Sequence, residues 1–232
     1  MSGFVFKQFK VEHDQCAMKV STDGILLGAW AKLTNGQRAL DIGTGTGLLA
    51  LMCKQRAVDL AITAVEIDEA AYHQAKQNIA QSPWPDIALY HQRIQEFEAD
   101  APFDMVISNP PYFINSLKGN DAGRNTARHT DGLSFTQLIA AFKRLTNTSA
   151  LFNVILPCEE AKLFIADAFK QGLYLQHHCL VQTKKTKPAT RSLMCFGYHE
   201  VNCKPQHLII HNEGGQYSDD FVTLCKGFYL KM

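Results

Sequence analysis

The stretch RALDIGTGTGLLALMCKQRA, residues 38–57, decides how this chain folds. It opens as a short buried strand, turns through glycines at 43, 45 and 47, and continues with the apolar spacing of a helix. Glycines between a strand and a helix let the backbone approach a ligand at the carboxyl edge of a sheet. The spacing is G-x-G-x-G, with Asp41 two residues ahead of Gly43. A dinucleotide fingerprint would need glycine at position 48, which is Leu48, and no Gly-Lys-Ser/Thr follows as a P-loop requires. The pattern therefore favours a ligand without phosphates.

Working outward, AITAVEID (61–68) is a second strand and EAAYHQAKQNIAQ (69–81) a second helix, ended by Ser82-Pro83-Trp84-Pro85. DIALYH (86–91) and FDMVISN (103–109) give a third and a fourth strand. Strands alternating with helices at this spacing predict βαβ units and a parallel sheet. A polar loop spans roughly residues 113–133. Ser134 and Gln137 then form a capping-box pattern before a helix that shares Phe135, Leu138, Ile139 and Phe142 on one face. ALFNVILP (150–157) is a continuous apolar strand, and EEAKLFIADAFKQG (159–172) a helix with Gly172 as its C′ stop. Two more strands are expected near 173–181 and 192–199, joined by the basic loop TKKTKPAT (183–190). A capped helix near the end presents Phe221, Leu224, Cys225 and Phe228 inward.

Bulk composition constrains the class without naming it. The chain of 232 residues is 46% hydrophobic and 19% charged, with a formal net charge of +1. Residues 1–139 carry 12 Lys and Arg against 15 Asp and Glu, and residues 140–232 carry 11 against 7. That asymmetry permits a polyanionic partner and does not demand one. Seven scattered cysteines with no CxxC spacing predict reduced thiols and no structural zinc. MSGFVFKQFK lacks a secretory apolar region, and no apolar run nears the ~20 residues of a membrane span. The expectation is a soluble cytoplasmic protein without a metal.

Two further features sharpen the site. Glu66 ends the second strand, where an acidic side chain can accept from both hydroxyls of a ribose. The fourth strand runs into Asn109-Pro110-Pro111-Tyr112. Two prolines remove two donors and fix two φ angles, which makes a stiff corner. Taken alone, that corner is equally well a strand-ending turn.

Glycine loop, Glu66 and Asn-Pro-Pro-Tyr in this order resemble the class I S-adenosylmethionine-dependent methyltransferases. FKQFKVEHDQCAMKVSTDGILLGAWA (6–31) and FYL (228–230) resemble more narrowly the tRNA adenine-N6 methyltransferases that modify an adenosine beside the anticodon of a valine tRNA. The resemblance covers essentially the whole chain and is most specific in residues 4–31, 40–52 and 105–113. It implies a Rossmann-like α/β fold, with a seven-stranded, mostly parallel sheet and helices on both faces. It divides the chain into an N-terminal segment, 1–30, packed on a catalytic domain, 31–232. It implies that Asp41, Gly43, Gly45, Gly47, Glu66 and Ile67 line an S-adenosylmethionine site, with Asn109 beside it and Thr22 and Asp23 near the methionine end. Family members usually carry an Asp after the third strand, where Arg93 stands here. The cofactor adenine is then expected to meet the backbone near Ile94, or to be held less tightly.

The chemistry gives the corner a purpose. An exocyclic aromatic amine is a weak nucleophile because its lone pair is delocalised into the ring. Two acceptors aimed at its hydrogens, Asn109 Oδ1 and the Pro110 carbonyl, favour the localised form, and Pro111 stiffens their support. Tyr112 is expected to stack on the extruded base. For the tRNA, the candidates are Arg124 and Arg128 after the corner, Lys184, Lys185, Lys187 and Arg191 on the later hairpin, and Lys7 with Phe9 near the start. A monomer is expected. The alternatives are another planar amine at the same corner (a guanine N2 in ribosomal RNA, a protein glutamine, a DNA adenine) or a protein that binds RNA or nucleotide without catalysis.

Overall fold

A computed structural model describes residues 3–16, 18–33, 36–111 and 133–232. The chain begins with a small antiparallel hairpin, β1 (Gly3–Val5) and β2 (Lys10–Glu12), followed by α1 (Thr22–Trp30). The core then alternates: β3 (Arg38–Ile42), α2 (Leu48–Arg56), β4 (Ala61–Glu66), α3 (Glu69–Ala80), β5 (Ala88–His91), β6 (Phe103–Ser108). The second half supplies α4 (Phe135–Leu145), β7 (Thr146–Pro157), α5 (Cys158–Lys170), β8 (Tyr174–Lys184), β9 (Arg191–Gly197), β10 (Gln206–His211) and α6 (Asp219–Cys225). The anticipated helix signals are used. Ser134 and Gln137 close a full capping box on α4, and Gly172 takes φ 77° just past α5.

β3 to β10 form one sheet in the order β10-β8-β9-β7-β6-β3-β4-β5. Every neighbouring pair is parallel except those of β9, which runs against both β7 and β8. The sheet has eight strands, one more than the sequence predicts. The extra strand is β10, parallel to β8 at the edge. Its apolar run, Leu208 to Ile210, is too short between His207 and His211 to stand out as a strand. α6 follows on and is tied to it, since Ser218 N donates to Ile210 O at 2.9 Å.

Successive strand residues alternate between two apolar layers, as the pleat requires. Ala39, Met105, Ile107, Leu193 and Cys195 face one layer with α1, α2, α6 and the N-terminal Phe6, Phe9 and Val11. Leu40, Ile42, Val106, Met194 and Phe196 face the other with α4 and α5. Helices thus cover both faces. The seven cysteines carry no disulfide.

The strand order reverses beside β3, because β4 and β5 lie on one side of it and β6 and β7 on the other. Such a reversal opens a crevice outside the carboxyl ends of the strands. The ends of β3, β4 and β6 there are Asp41–Ile42, Glu66 and Ser108–Asn109.

Candidate active site at the carboxyl edge of the sheet

The turn after β3 is built from left-handed glycines: Gly43 has φ 69°, Gly45 φ 56° and Gly47 φ 82°. A side chain at any of them would be strained. A Cβ at Gly43 or Gly45 would point into open space, which is the room a ligand needs against the backbone. The turn is anchored to β4, since Gly43 N and Thr44 N both donate to Val65 O, at 2.9 and 3.2 Å.

Two carboxylates frame this turn. Asp41 is fully buried, and its Oδ2 accepts from the Thr44 hydroxyl at 2.6 Å. Oδ1 makes no hydrogen bond of ordinary geometry. Burial pushes the Asp41 carboxyl up to about 7, with Glu66 adding repulsion and the Thr44 hydroxyl and Ala50 amide pulling the other way. Glu66 is also buried and works on the backbone. Its Oε2 accepts from Gly45 N at 2.7 Å, and its Oε1 from Ile67 N at 2.8 Å and Asp68 N at 2.9 Å. One side chain therefore ties the glycine turn to the start of α3. Oε1 is fully engaged by the Ile67 and Asp68 amides, and Oε2 keeps a second lone pair for a ligand hydroxyl.

The third wall is the corner after β6. Ser108 Oγ donates to Ile42 O at 2.8 Å, which fixes the end of β6 against the end of β3. Asn109 follows with Nδ2 3.7 Å from Met18 Sδ, while its Oδ1 is enclosed and, among the described residues, has no partner. Pro110 is buried and Pro111 exposed. A shielded amide oxygen without a donor is costly unless something supplies one, so its presence here points to a ligand N–H. Among the described residues, no cluster of His, Cys, Asp and Glu could hold a metal ion.

The structure brings Asp41, Gly43, Gly45, Gly47, Glu66 and Asn109 to one edge, and Ile67 caps it with an exposed side chain. Ile94 is buried, and its carbonyl accepts from Arg144 Nη2 at 2.7 Å, so the turn after β5 is held from the protein side beside an exposed Arg93. Thr22 is exposed in the first turn of α1, next to Asp23. Asp23 Oδ2 accepts from Arg191 Nε at 2.7 Å, so Arg191 joins the β8–β9 hairpin to α1. Lys184, Lys185 and Lys187 are exposed on that hairpin. β8 is parallel to β10 and opposed by β9, which in turn opposes β7, so their carboxyl-side loop lies on the edge that carries the site.

Phe9 does not serve as expected. It is 6% exposed, stacked on Phe6 at 4.6 Å and edge-on to Trp84 at 5.9 Å, so its ring belongs to the core. Alternation of Phe and Lys suggested an exposed aromatic face, but the hairpin folds those rings inward. Lys7 is exposed, and its Nζ donates to the Lys226 carbonyl at 2.7 Å. Tyr112, Arg124 and Arg128 lie outside the described residues.

Several contributors have no motif to announce them. Asn78 is buried on α3 and bridges the N-terminal hairpin to the glycine turn. Its Oδ1 accepts from Glu12 N, and its Nδ2 donates to Glu12 O and Thr46 O, all at 2.9 Å. Gln74, one turn earlier, accepts from Gln15 N at 3.2 Å. The signal for them was faint: a polar side chain on the inner face of a helix otherwise apolar there.

Solved structures share this architecture. A predicted O-methyltransferase from Agrobacterium tumefaciens superposes with a TM-score of 0.68 at 19% identity, over 89% of this chain and 96% of that one. A putative class I S-adenosylmethionine-dependent methyltransferase from Listeria monocytogenes gives 0.56 at 17% identity, over 87% and 67%. Residues 21–131 match the family model described as Methyltransferase small domain. The fold is that of a class I methyltransferase. The tRNA1(Val) (adenine(37)-N6)-methyltransferase of Pseudoalteromonas translucida is 59% identical over 232 residues, covering 100% of both chains. The protein of the same name from Bacteroides fragilis is 43% identical over 237 residues, covering 99% and 98%. The chain belongs to the tRNA1(Val) (adenine(37)-N6)-methyltransferase family.

Proposed function

We propose that the protein transfers a methyl group from S-adenosylmethionine to the exocyclic N6 of an adenosine in tRNA, the anticodon-adjacent adenosine of a valine tRNA. The observation that carries this reading is the enclosed Oδ1 of Asn109, without a partner among the described residues, at the strand end next to Asp41 and the glycine turn. Bound S-adenosylmethionine supplies the methyl group on a sulfonium centre. Glu66 is suited to a ribose hydroxyl, the Gly43–Gly45 backbone to close approach, and Asp41 Oδ1 to a donor on the amino-acid portion. Asn109 Oδ1 and the Pro110 carbonyl accept from the two N6 hydrogens and direct the lone pair outward. Tyr112, next in sequence, is assigned the role of stacking on the base. Positioning then supplies most of the catalysis, and no general base with a tuned pKa is needed.

The neighbouring corner reactions, on guanine N2, glutamine or DNA adenine, use the same acceptors. The full-length similarity to the tRNA enzymes favours the tRNA adenosine. We take the working form to be a cytoplasmic monomer in which residues 1–30 lie on the methyltransferase domain, since one chain supplies every described site residue. The test is Asn109→Ala: transfer to tRNA is lost while calorimetric affinity for S-adenosylmethionine stays within several-fold. Near-normal turnover in that variant would remove the assigned role.

A further inference from the structure

A second cavity of about 460 Å³ opens on the same edge of the sheet, beyond β9. Thr183, Thr190, Arg191, His211, Tyr217 and Tyr229 line it, and the first turn of α1 closes the side nearest the active site. The Asp23–Arg191 ion pair forms that wall, so the carboxylate that borders the cofactor end also borders this cavity. Its aromatic part is a pile of rings. Tyr217 stacks on His211 at 5.3 Å and 27°, and tilts against Phe221 at 4.8 Å. His211 Nδ1 donates to the Thr183 carbonyl at 3.3 Å, which fixes its ring. Tyr217 is nonetheless 43% exposed, a large aromatic surface left open at the mouth of a cavity.

The surroundings suit an anionic chain. Lys184, Lys185 and Lys187 stand exposed on the hairpin that forms the rim, and no acidic residue lies between Val181 and Arg191. Aromatic faces beside a basic rim are the means by which proteins hold unpaired bases, the rings taking the base and the cations the phosphates. The distance is suitable too. Tyr217 stacks on His211 of β10, which lies four places from β6 in the sheet, roughly 19 Å at ordinary strand spacing, and a nucleotide chain leaving Asn109 covers that within a few residues.

We propose that this cavity is a second base pocket, which takes an unpaired nucleobase flanking the target adenosine in the same RNA loop and stacks it on Tyr217. The inference rests on the tRNA reading above and extends it. The pocket selects the substrate by holding a neighbour, while the Asn109 corner performs the chemistry on the target.

The test uses the full-length enzyme and unmodified valine tRNA in which single anticodon-loop nucleotides around the target are made abasic in turn. Tyr217→Ala is expected to raise the KM for tRNA roughly 5- to 150-fold, the range for one lost base–aromatic stack. The kcat is expected to stay within about threefold, since the contact is not at the reacting atoms. Affinity for S-adenosylmethionine is unchanged. One abasic position raises KM equally in the wild type and has no further effect in Tyr217→Ala, because both remove the same contact. Effects that multiply at every position overturn the proposal, as does an unchanged KM. Should Tyr217→Ala misfold, Thr190→Trp fills the exposed mouth of the cavity and is expected to raise KM alike. Binding of a fluorescent loop RNA, read by anisotropy, separates this claim from the functional one. If tRNA takes no methyl group but Tyr217→Ala still weakens RNA binding, the functional reading falls and the pocket stands. If tRNA is methylated and neither variant changes KM or RNA binding, the pocket falls and the function stands.

Discussion

Replacing Glu66 by Gln keeps the shape of the side chain and removes one acceptor. In the present geometry the carboxylate accepts from three backbone amides, those of Gly45, Ile67 and Asp68. A glutamine can keep the Ile67 and Asp68 pair on its oxygen, but its Nε2 then faces the Gly45 N–H, donor against donor. A charge-assisted hydrogen bond contributes about 1.5–3 kcal/mol, and a thwarted partly buried donor costs a similar amount. The Gly45 bond is the shortest of the three, so a loss of about 2–3 kcal/mol is expected for the ligand-free protein. For a domain of this size that lowers Tm by roughly 4–12 °C. Cofactor affinity falls as well, since the one lone pair left for a ribose hydroxyl, on Oε2, is replaced by an N–H donor; a loss of one charged bond corresponds to roughly 10- to 150-fold in Kd. Differential scanning calorimetry and isothermal titration read the two effects separately. A variant with wild-type Tm would show that Glu66 does not hold the glycine turn. A variant with lowered Tm but unchanged Kd would show that it does not meet the ribose.

Asp41→Asn tests the buried carboxyl. Its folded value of about 7 lies above the unfolded value near 3.9, so stability is full below about pH 4 and declines as pH rises to about 7. The decline is at most about 4 kcal/mol, and ligand-free Asp41→Asn should flatten the fall in Tm between pH 5 and 8; an identical pH profile would refute the burial argument. Asn78→Ala removes three hydrogen bonds, one buried and two half-buried, about 2–4 kcal/mol, and frees the N-terminal hairpin from α3 and the glycine turn. Limited proteolysis should cut residues 3–16 much sooner in that variant, and equal cutting rates would count against the clasp.

What could be read from the sequence was what local pattern encodes. The glycine turn, the alternating strands and helices, and the capping box on α4 are each signalled within a dozen residues, and all appear where the spacing puts them. Asp41, Glu66 and Asn109 were legible because each sits at a strand end, and parallel strands bring their carboxyl ends together. Long-range pairings were not legible. Nothing near Arg191 announces Asp23, 168 positions away. Phe9 looked like an RNA-facing ring because its neighbours are basic, and only the hairpin fold turns it toward Trp84. β10 was missed because an edge strand of three apolar residues is weaker than the turn signals around it. Asn78 and Gln74 gave only a faint signal, since a polar residue on a helix ordinarily faces water.

The most direct test of the central claim is the chemical identity of the product. Purified protein is incubated with methyl-labelled S-adenosylmethionine and unmodified valine tRNA, the RNA is digested, and the labelled nucleoside is identified by mass. The account predicts N6-methyladenosine, derived from the adenosine beside the anticodon and absent with Asn109→Ala. Label in any other nucleoside, or none from a protein that binds the cofactor, would contradict it.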